Sequence, residues 1–186
     1  MKQSNNITMA TRFEASFPKN YRKNDIEQVL KFVLSGKFCQ LICLPGGGKA
    51  TVLKLLAHNQ ALLRSHLGNR ASSSLFLYLN LLELPNFEQT TIDRFFLFSM
   101  KGTTMKQSSN LTIPTDPILL LQQLKDVVNQ LTNHELKTLV LLFDHFDEFQ
   151  NKLPRSFFQT LRSLRSLAKY KFSCAFATRR DLRQLV

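Results

Sequence analysis

The segment CQLICLPGGGKATVLKLL, residues 39–56, constrains the fold more than any other stretch of this chain. An apolar run closes on Pro45, Gly46, Gly47, Gly48 and Lys49, and a helical pattern with Val52, Leu53, Leu55 and Leu56 starts at once. Residues 38–44 are apolar nearly throughout, as expected of a strand buried on both faces between helices. A strand that turns into a helix through glycines brings backbone N–H groups and the positive helix N-terminus to one point. Alone, the segment is either an ordinary glycine-rich turn or a cradle for an anion.

The remaining pattern supplies the frame for that turn. SLFLYLN (74–80), KTLVLLFDHFDEF (from Lys137) and KFSCAFATRRDL (from Lys171) read as further buried strands. Between them lie amphipathic helices. NDIEQVLKFVLSG carries Asn24 as a candidate N-cap, Glu27 three residues on, and Gly36 just past the end. DPILLLQQLKDVVNQL has Asp116 as cap and Pro117 at the first position, and PRSFFQTLRSLRSLAKY alternates basic and apolar faces. QALLRSHLG and residues 86–100 add helical turns, while residues 101–116 are polar and without period. Strands alternating with helices predict an α/β domain around a mainly parallel sheet. Residues 1–23 read as a basic, loosely ordered arm, and residues 24–186 as the core.

The net charge of +12 sits at the two ends of the chain. Residues 1–23 hold five Lys or Arg against Glu14, residues 152–186 hold nine against Asp181, and the stretch between is neutral. Basic ends can attract nucleic acid or another anionic surface by counterion release; they can equally form a solvated face or meet an acidic protein partner. No apolar run approaches the roughly 20 residues of a membrane span, so no membrane contact and a cytoplasmic location are expected. Cys39, Cys43 and Cys174 lie in apolar segments without metal-ligand spacing and read as reduced core residues.

Three constellations carry chemistry. A phosphate loop of the form Gly, four residues, Gly, Lys, Ser/Thr uses glycines to curl N–H groups round phosphate, lysine for the β- and γ-phosphates and the hydroxyl for Mg²⁺. Here Gly48 and Lys49 fit the central pair, Cys43 stands at the first glycine and Ala50 in the hydroxyl slot. Thr51 offers a hydroxyl one residue late, but about 100° further round the helix. The second constellation is the acidic strand end: Asp144 is placed to coordinate Mg²⁺, and Glu148 or Asp147 to polarise an attacking water. The third is Thr178 with Arg179, a polar group and a cation at a strand end that can meet a γ-phosphate.

Together, in this order, the three resemble the P-loop ATPases of the AAA+ and STAND group. CLPGGGKAT is similar to the group's GLPGxGKST Walker A loop, LVLLFDHFDE to its Walker B strand, and FSCAFATRRDL to its sensor strand. The resemblance implies a three-layer P-loop NTPase core. Its parallel sheet would run loop strand, sensor strand, acidic strand, outer strand, and stop before the fifth strand and the helical lid. It also implies ATP and Mg²⁺ as cofactors. Pro45, Gly46, Gly47, Gly48, Lys49, Ala50, Thr51, Thr178 and Arg179 would line the nucleotide site, with Asp144 on the metal and Glu148 or Asp147 as the catalytic acids. Ala50 departs from the pattern, as does His145, which stands where many members of the group carry their catalytic glutamate. Without a fifth strand the loop strand would present an apolar edge, so a C-terminal lid or effector region, or a protein partner, is expected to complete the core.

Two functions follow from this reading. One is an ATP-binding switch domain with weak or absent hydrolysis, which leaves open whether the chain is an ATP hydrolase. The other is a non-enzymatic P-loop relic acting as a binding or scaffold module. Within 154–169, Arg155, Arg162, Arg165 and Lys169 fall on one helix face opposite Phe157, Leu161, Leu164 and Ala168, which adds sequence-independent nucleic-acid contact as a further expected partner.

Overall fold

In a computed structural model of the chain, residues 13–44, 46–104 and 113–181 are described. Four parallel strands form the sheet: β1 (Cys39–Ile42), β2 (Ser74–Asn80), β3 (Thr138–Asp144) and β4 (Phe172–Thr178), in the order β1-β4-β3-β2. This is the expected order of loop strand, sensor strand, acidic strand and outer strand. The helices are α1 (Lys23–Val33), α2 (Lys49–His58), α3 (Gln60–Leu67), α4 (Gln89–Thr104), α5 (Pro117–Asn129), the single turn α6 (Phe146–Phe149) and α7 (Arg155–Ala168).

Alternation along the strands creates two cores. Leu139, Leu141 and Phe143 of β3 pack with Phe172, Cys174 and Phe176 of β4 against α4, α5 and α7, whereas Val140, Leu142, Ala175 and Ala177 pack against α1, α2 and α3. Both faces of β3 and β4 are covered, so these strands are apolar at almost every position. The first face is aromatic: Phe143 and Phe176 stack at 5.1 Å with their planes 7° apart, and Phe96, Phe146 and Phe157 close round Phe143. The second face uses small residues on β4, which lets α1 and α2 approach the sheet near the loop.

Local signals placed some helix ends and not others. Asp116 caps α5 as expected, accepting from the N–H groups of Ile118 and Leu119 at 2.9 Å each. The cap expected at Asn24 falls instead on Arg22, in the left-handed region (φ 53°) with no side-chain cap bond. Helix α4 runs past Met100 to Thr104, through residues whose polarity reads as loop. Residues Phe13–Ser16 form a short 3₁₀ turn, and Asn59 Nδ2 donates to the carbonyls of Glu14 and Phe17, tying this segment to α3. Among the described residues β1 pairs on one side only; Ile42 is 54% exposed and Leu44 79%. No described helix is long and apolar enough to cross a membrane.

Candidate functional site

The carboxyl ends of β1, β3 and β4 meet at one side of the sheet, where ligands of open α/β sheets bind. Cys43 extends the β1–β4 pairing by donating its N–H to the Thr178 carbonyl at 3.2 Å, and the chain then turns. Gly46 (φ 79°) and Gly48 (φ 78°) occupy the left-handed region that glycine tolerates. Gly47 is constrained differently. A Cβ at that position would lie 1.9 Å from Cys43 Sγ, so the thiol that stands in the first-glycine position occupies the space a side chain would need. Pro45 lies outside the described residues.

Helix α2 starts at Lys49 with Gly48 as its N-cap, no side-chain cap bond and no acid in its first turn. Its N–H groups and partial positive charge are thus available to an anion. Gly46, Gly48, Lys49 and Ala50 line a cavity of about 240 Å³ together with Leu44, Asp144, His145, Asp147, Glu148 and Arg179. The structure therefore gathers the glycines, the lysine, the three acids and Arg179 around one space, although 95 residues separate Lys49 from Asp144. Gly47, Thr51 and Thr178 do not line it. Thr178 is fully buried and its hydroxyl accepts from Gln40 Nε2 at 2.5 Å, turned toward β1.

The acids are already engaged. Asp144 is 1% exposed; its Oδ2 accepts from the Tyr78 hydroxyl at 2.7 Å and its Oδ1 from the His145 backbone N–H at 2.9 Å. Asn80 of β2 is the register partner of Asp144, which puts Tyr78 two residues back, on the same sheet face and within reach of the carboxylate. Burial and the neighbouring Asp144 charge push the Tyr78 phenol well above its ordinary range, so it stays a donor throughout physiological pH. His145 sits in the left-handed region (φ 59°) and turns the chain into α6. Glu148 Oε1 accepts from Arg179 Nη2 at 2.6 Å and lies 3.1 Å from His145 Nδ1. The Arg179 backbone N–H donates to Asp147 Oδ2 at 3.0 Å, while Asp147 Oδ1 is buried without a hydrogen-bond partner.

Two residues that sequence reasoning missed shape the site. Tyr78 is one. The other is Arg22, whose Nη1 donates to the Gly47 carbonyl at 2.7 Å while its Nε pairs with Asp25 at 2.7 Å, holding the loop from the α1 side. A second cavity of about 510 Å³ continues from Gly47 and Lys49 along the open edge of β1, walled by Val29, Phe32, Phe38 and Val52. Burial raises the Cys39 thiol beside it to about 11, which keeps that sulfur protonated and inert at neutral pH.

The residues present suit a phosphate better than a metal. An uncapped helix start and Lys49 match an anion, and the orphaned Asp147 oxygen could accept from a ligand N–H, O–H or water. For Mg²⁺ the protein supplies Asp144, both of whose oxygens already accept hydrogen bonds, and Ala50 has no oxygen to give. Among the described residues no group of three His, Cys, Asp or Glu could hold a metal. A magnesium ion would rest chiefly on phosphate oxygens and water.

No protein-family model matches the chain. No curated relative matches it either. Among solved structures, the ORC2 protein of Aeropyrum pernix, described in ADPNP–ADP complexes, is similar over 88% of this chain at a TM-score of 0.60 and 17% identity. This chain covers 42% of that protein's length. The likeness is one of fold: a parallel, helix-flanked sheet of the P-loop NTPase kind.

Proposed function

We propose that this chain is a nucleotide-binding domain of the AAA+ type that holds ATP or ADP and hydrolyses ATP weakly or not at all. The supporting observation is the convergence of the uncapped α2 N-terminus, Lys49 and Asp144 on one cavity at the carboxyl end of a parallel sheet. In this reading the phosphates lie against Gly46, Gly48 and Lys49, and the base uses the apolar cavity along β1, which shares Lys49. Thr51 and Thr178 stay outside the phosphate cavity. Arg179 responds to bound nucleotide by exchanging its pairing with Glu148 for the terminal phosphate.

Weak hydrolysis follows from the same geometry. A bound Mg²⁺ would supply charge neutralisation for the leaving phosphates. Asp144, tied to Tyr78, and Ala50, without a hydroxyl, hold it poorly, and Glu148 is clamped by Arg179 and His145 rather than free to orient water. Nucleotide-dependent repositioning of Arg179 would then be a switch without turnover, read out by a C-terminal region or a partner protein seated on the open β1 edge.

The test is ADP titration by calorimetry with Mg²⁺ and with EDTA. The wild-type affinity is expected to change by less than about threefold between the two, because the protein contributes little to the metal. In Ala50→Ser, the restored hydroxyl should make binding Mg²⁺-dependent and raise ATP turnover about tenfold or more. A wild type whose binding collapses in EDTA would sink the metal-poor reading.

A further inference from the structure

At the opposite end of the sheet, where β4 begins, α7 ends in a turn that carries Lys169, Tyr170 and Lys171. A cavity of about 480 Å³ opens there, lined by Gly36, Arg162, Arg165, Ser166, Lys169 and Tyr170, with no Asp or Glu among them. It lies about 20 Å from the phosphate loop, the length of the seven-residue β4. Its cations are arranged rather than scattered. Arg162 and Arg165 lie three residues apart on α7 and Lys169 follows at its C-cap, and Arg165 is held with its guanidinium 4.9 Å from the Phe38 ring centroid.

Tyr170 completes the cavity. Its side chain is 79% exposed, yet its backbone is fixed, because Gly36 at the end of α1 presses on it so closely that a Cβ there would lie 2.6 Å from Tyr170 Cα. Lys169 before it adopts the left-handed region (φ 50°), which turns the chain sharply at this point. The result is a rigidly mounted aromatic ring standing in solvent beside three exposed cations.

We propose that this cavity binds single-stranded nucleic acid, with Arg162, Arg165 and Lys169 tracking phosphates and the Tyr170 ring stacking on a base. Charge alone would suit an acidic protein equally. The exposed aromatic favours nucleic acid, since stacking platforms beside a basic track are how single strands are held without sequence readout, and polyglutamate competition tests the acidic-protein alternative. The surface is separate from the nucleotide site, and it uses only the last two turns of the basic helix with the turn that follows.

The experiment is fluorescence anisotropy of labelled oligothymidylate and oligouridylate of about 15 nucleotides, with the full chain and exposed-site variants whose folding is confirmed by thermal melts. Both probes should bind. Tyr170→Ala should weaken binding about tenfold and Tyr170→Phe should bind as wild type, because the ring and not the hydroxyl does the stacking. Arg162→Gln should lower the slope of log affinity against log salt by about 0.7. The proposal is overturned if wild type binds neither probe, if Tyr170→Ala binds as tightly as wild type, if duplex DNA binds as well as single strands, or if polyglutamate competes at equal charge.

Discussion

At the scale of single residues, the decisive contact is the one between Tyr78 and Asp144. The carboxylate is 1% exposed and depends on two donors, the Tyr78 hydroxyl and the His145 N–H. Removing the hydroxyl in Tyr78→Phe leaves a buried acceptor short of a partner and is expected to cost about 1.5–3 kcal/mol of stability. Because the same oxygen then becomes available to a cation, millimolar Mg²⁺ should restore part of that loss in the variant and none in wild type. Chemical denaturation with and without Mg²⁺ measures both, and equal Mg²⁺ effects in the two proteins would contradict the assignment. This contact was not legible in the sequence. Tyr78 sits in an apolar strand where it reads as core, and its reach to Asp144 depends on the β2–β3 register, which no local pattern sets. The role of Arg22 is illegible for a related reason: it reaches Gly47 across 25 residues, and the local capping pattern points to Asn24 as the helix start. Asp116, by contrast, bonds N–H groups two and three residues away, so its role could be read directly.

At the scale of elements, the strand–loop–helix unit is a coupled piece of packing. The first-glycine position holds Cys43, whose sulfur occupies the space beside Gly47, and Gly47 in turn must lack a side chain. Gly47 has no positive φ, so the obstacle to alanine there is steric. Gly47→Ala is expected to destabilise the protein by about 1–3 kcal/mol through overpacking. Cys43→Ala in the same chain should recover part of that, since the added Cβ would then meet only the Leu44 carbonyl oxygen at 3.1 Å and Cys43 Cβ at 3.5 Å. A double-mutant cycle by thermal unfolding gives the coupling, expected at about 1 kcal/mol or more; additive effects would show that the thiol is not what excludes the side chain. The unit itself was readable because each of its parts is local: an apolar run, glycines, and a periodic helix, although β1 is a half-exposed edge strand and not the doubly buried one its apolar run predicts. Strands β3 and β4 were readable too, since burial on both faces leaves unbroken apolar runs. Helix α4 runs further than its sequence suggests because Lys101 and the exposed Gly102 interrupt the apolar period at its C-terminal end, even though Lys101 is itself buried.

At the scale of the whole molecule, one sheet separates two chemistries. Its carboxyl edge gathers glycines, Lys49 and acids round a cavity of about 240 Å³, and its opposite edge gathers cations round Tyr170. The charge asymmetry along the chain explains the second edge, since the basic C-terminal stretch supplies α7 and the turn before β4. The fold is shared with a larger protein of which this chain matches 42%. The edge of β1, with Ile42 and Leu44 exposed, borders the apolar cavity that shares Lys49 with the phosphate-loop cavity. The proposed nucleotide function requires that Lys49 and the α2 N-terminus hold phosphate despite Cys43 and Ala50. Isothermal titration of ATP into wild type and Lys49→Ala tests this directly. Wild type should bind with a Kd in the micromolar range and Lys49→Ala about 10- to 100-fold more weakly, the loss of one charge-assisted contact. Equal affinity in the two proteins, or no binding by wild type, would contradict a nucleotide function and leave the loop as a turn.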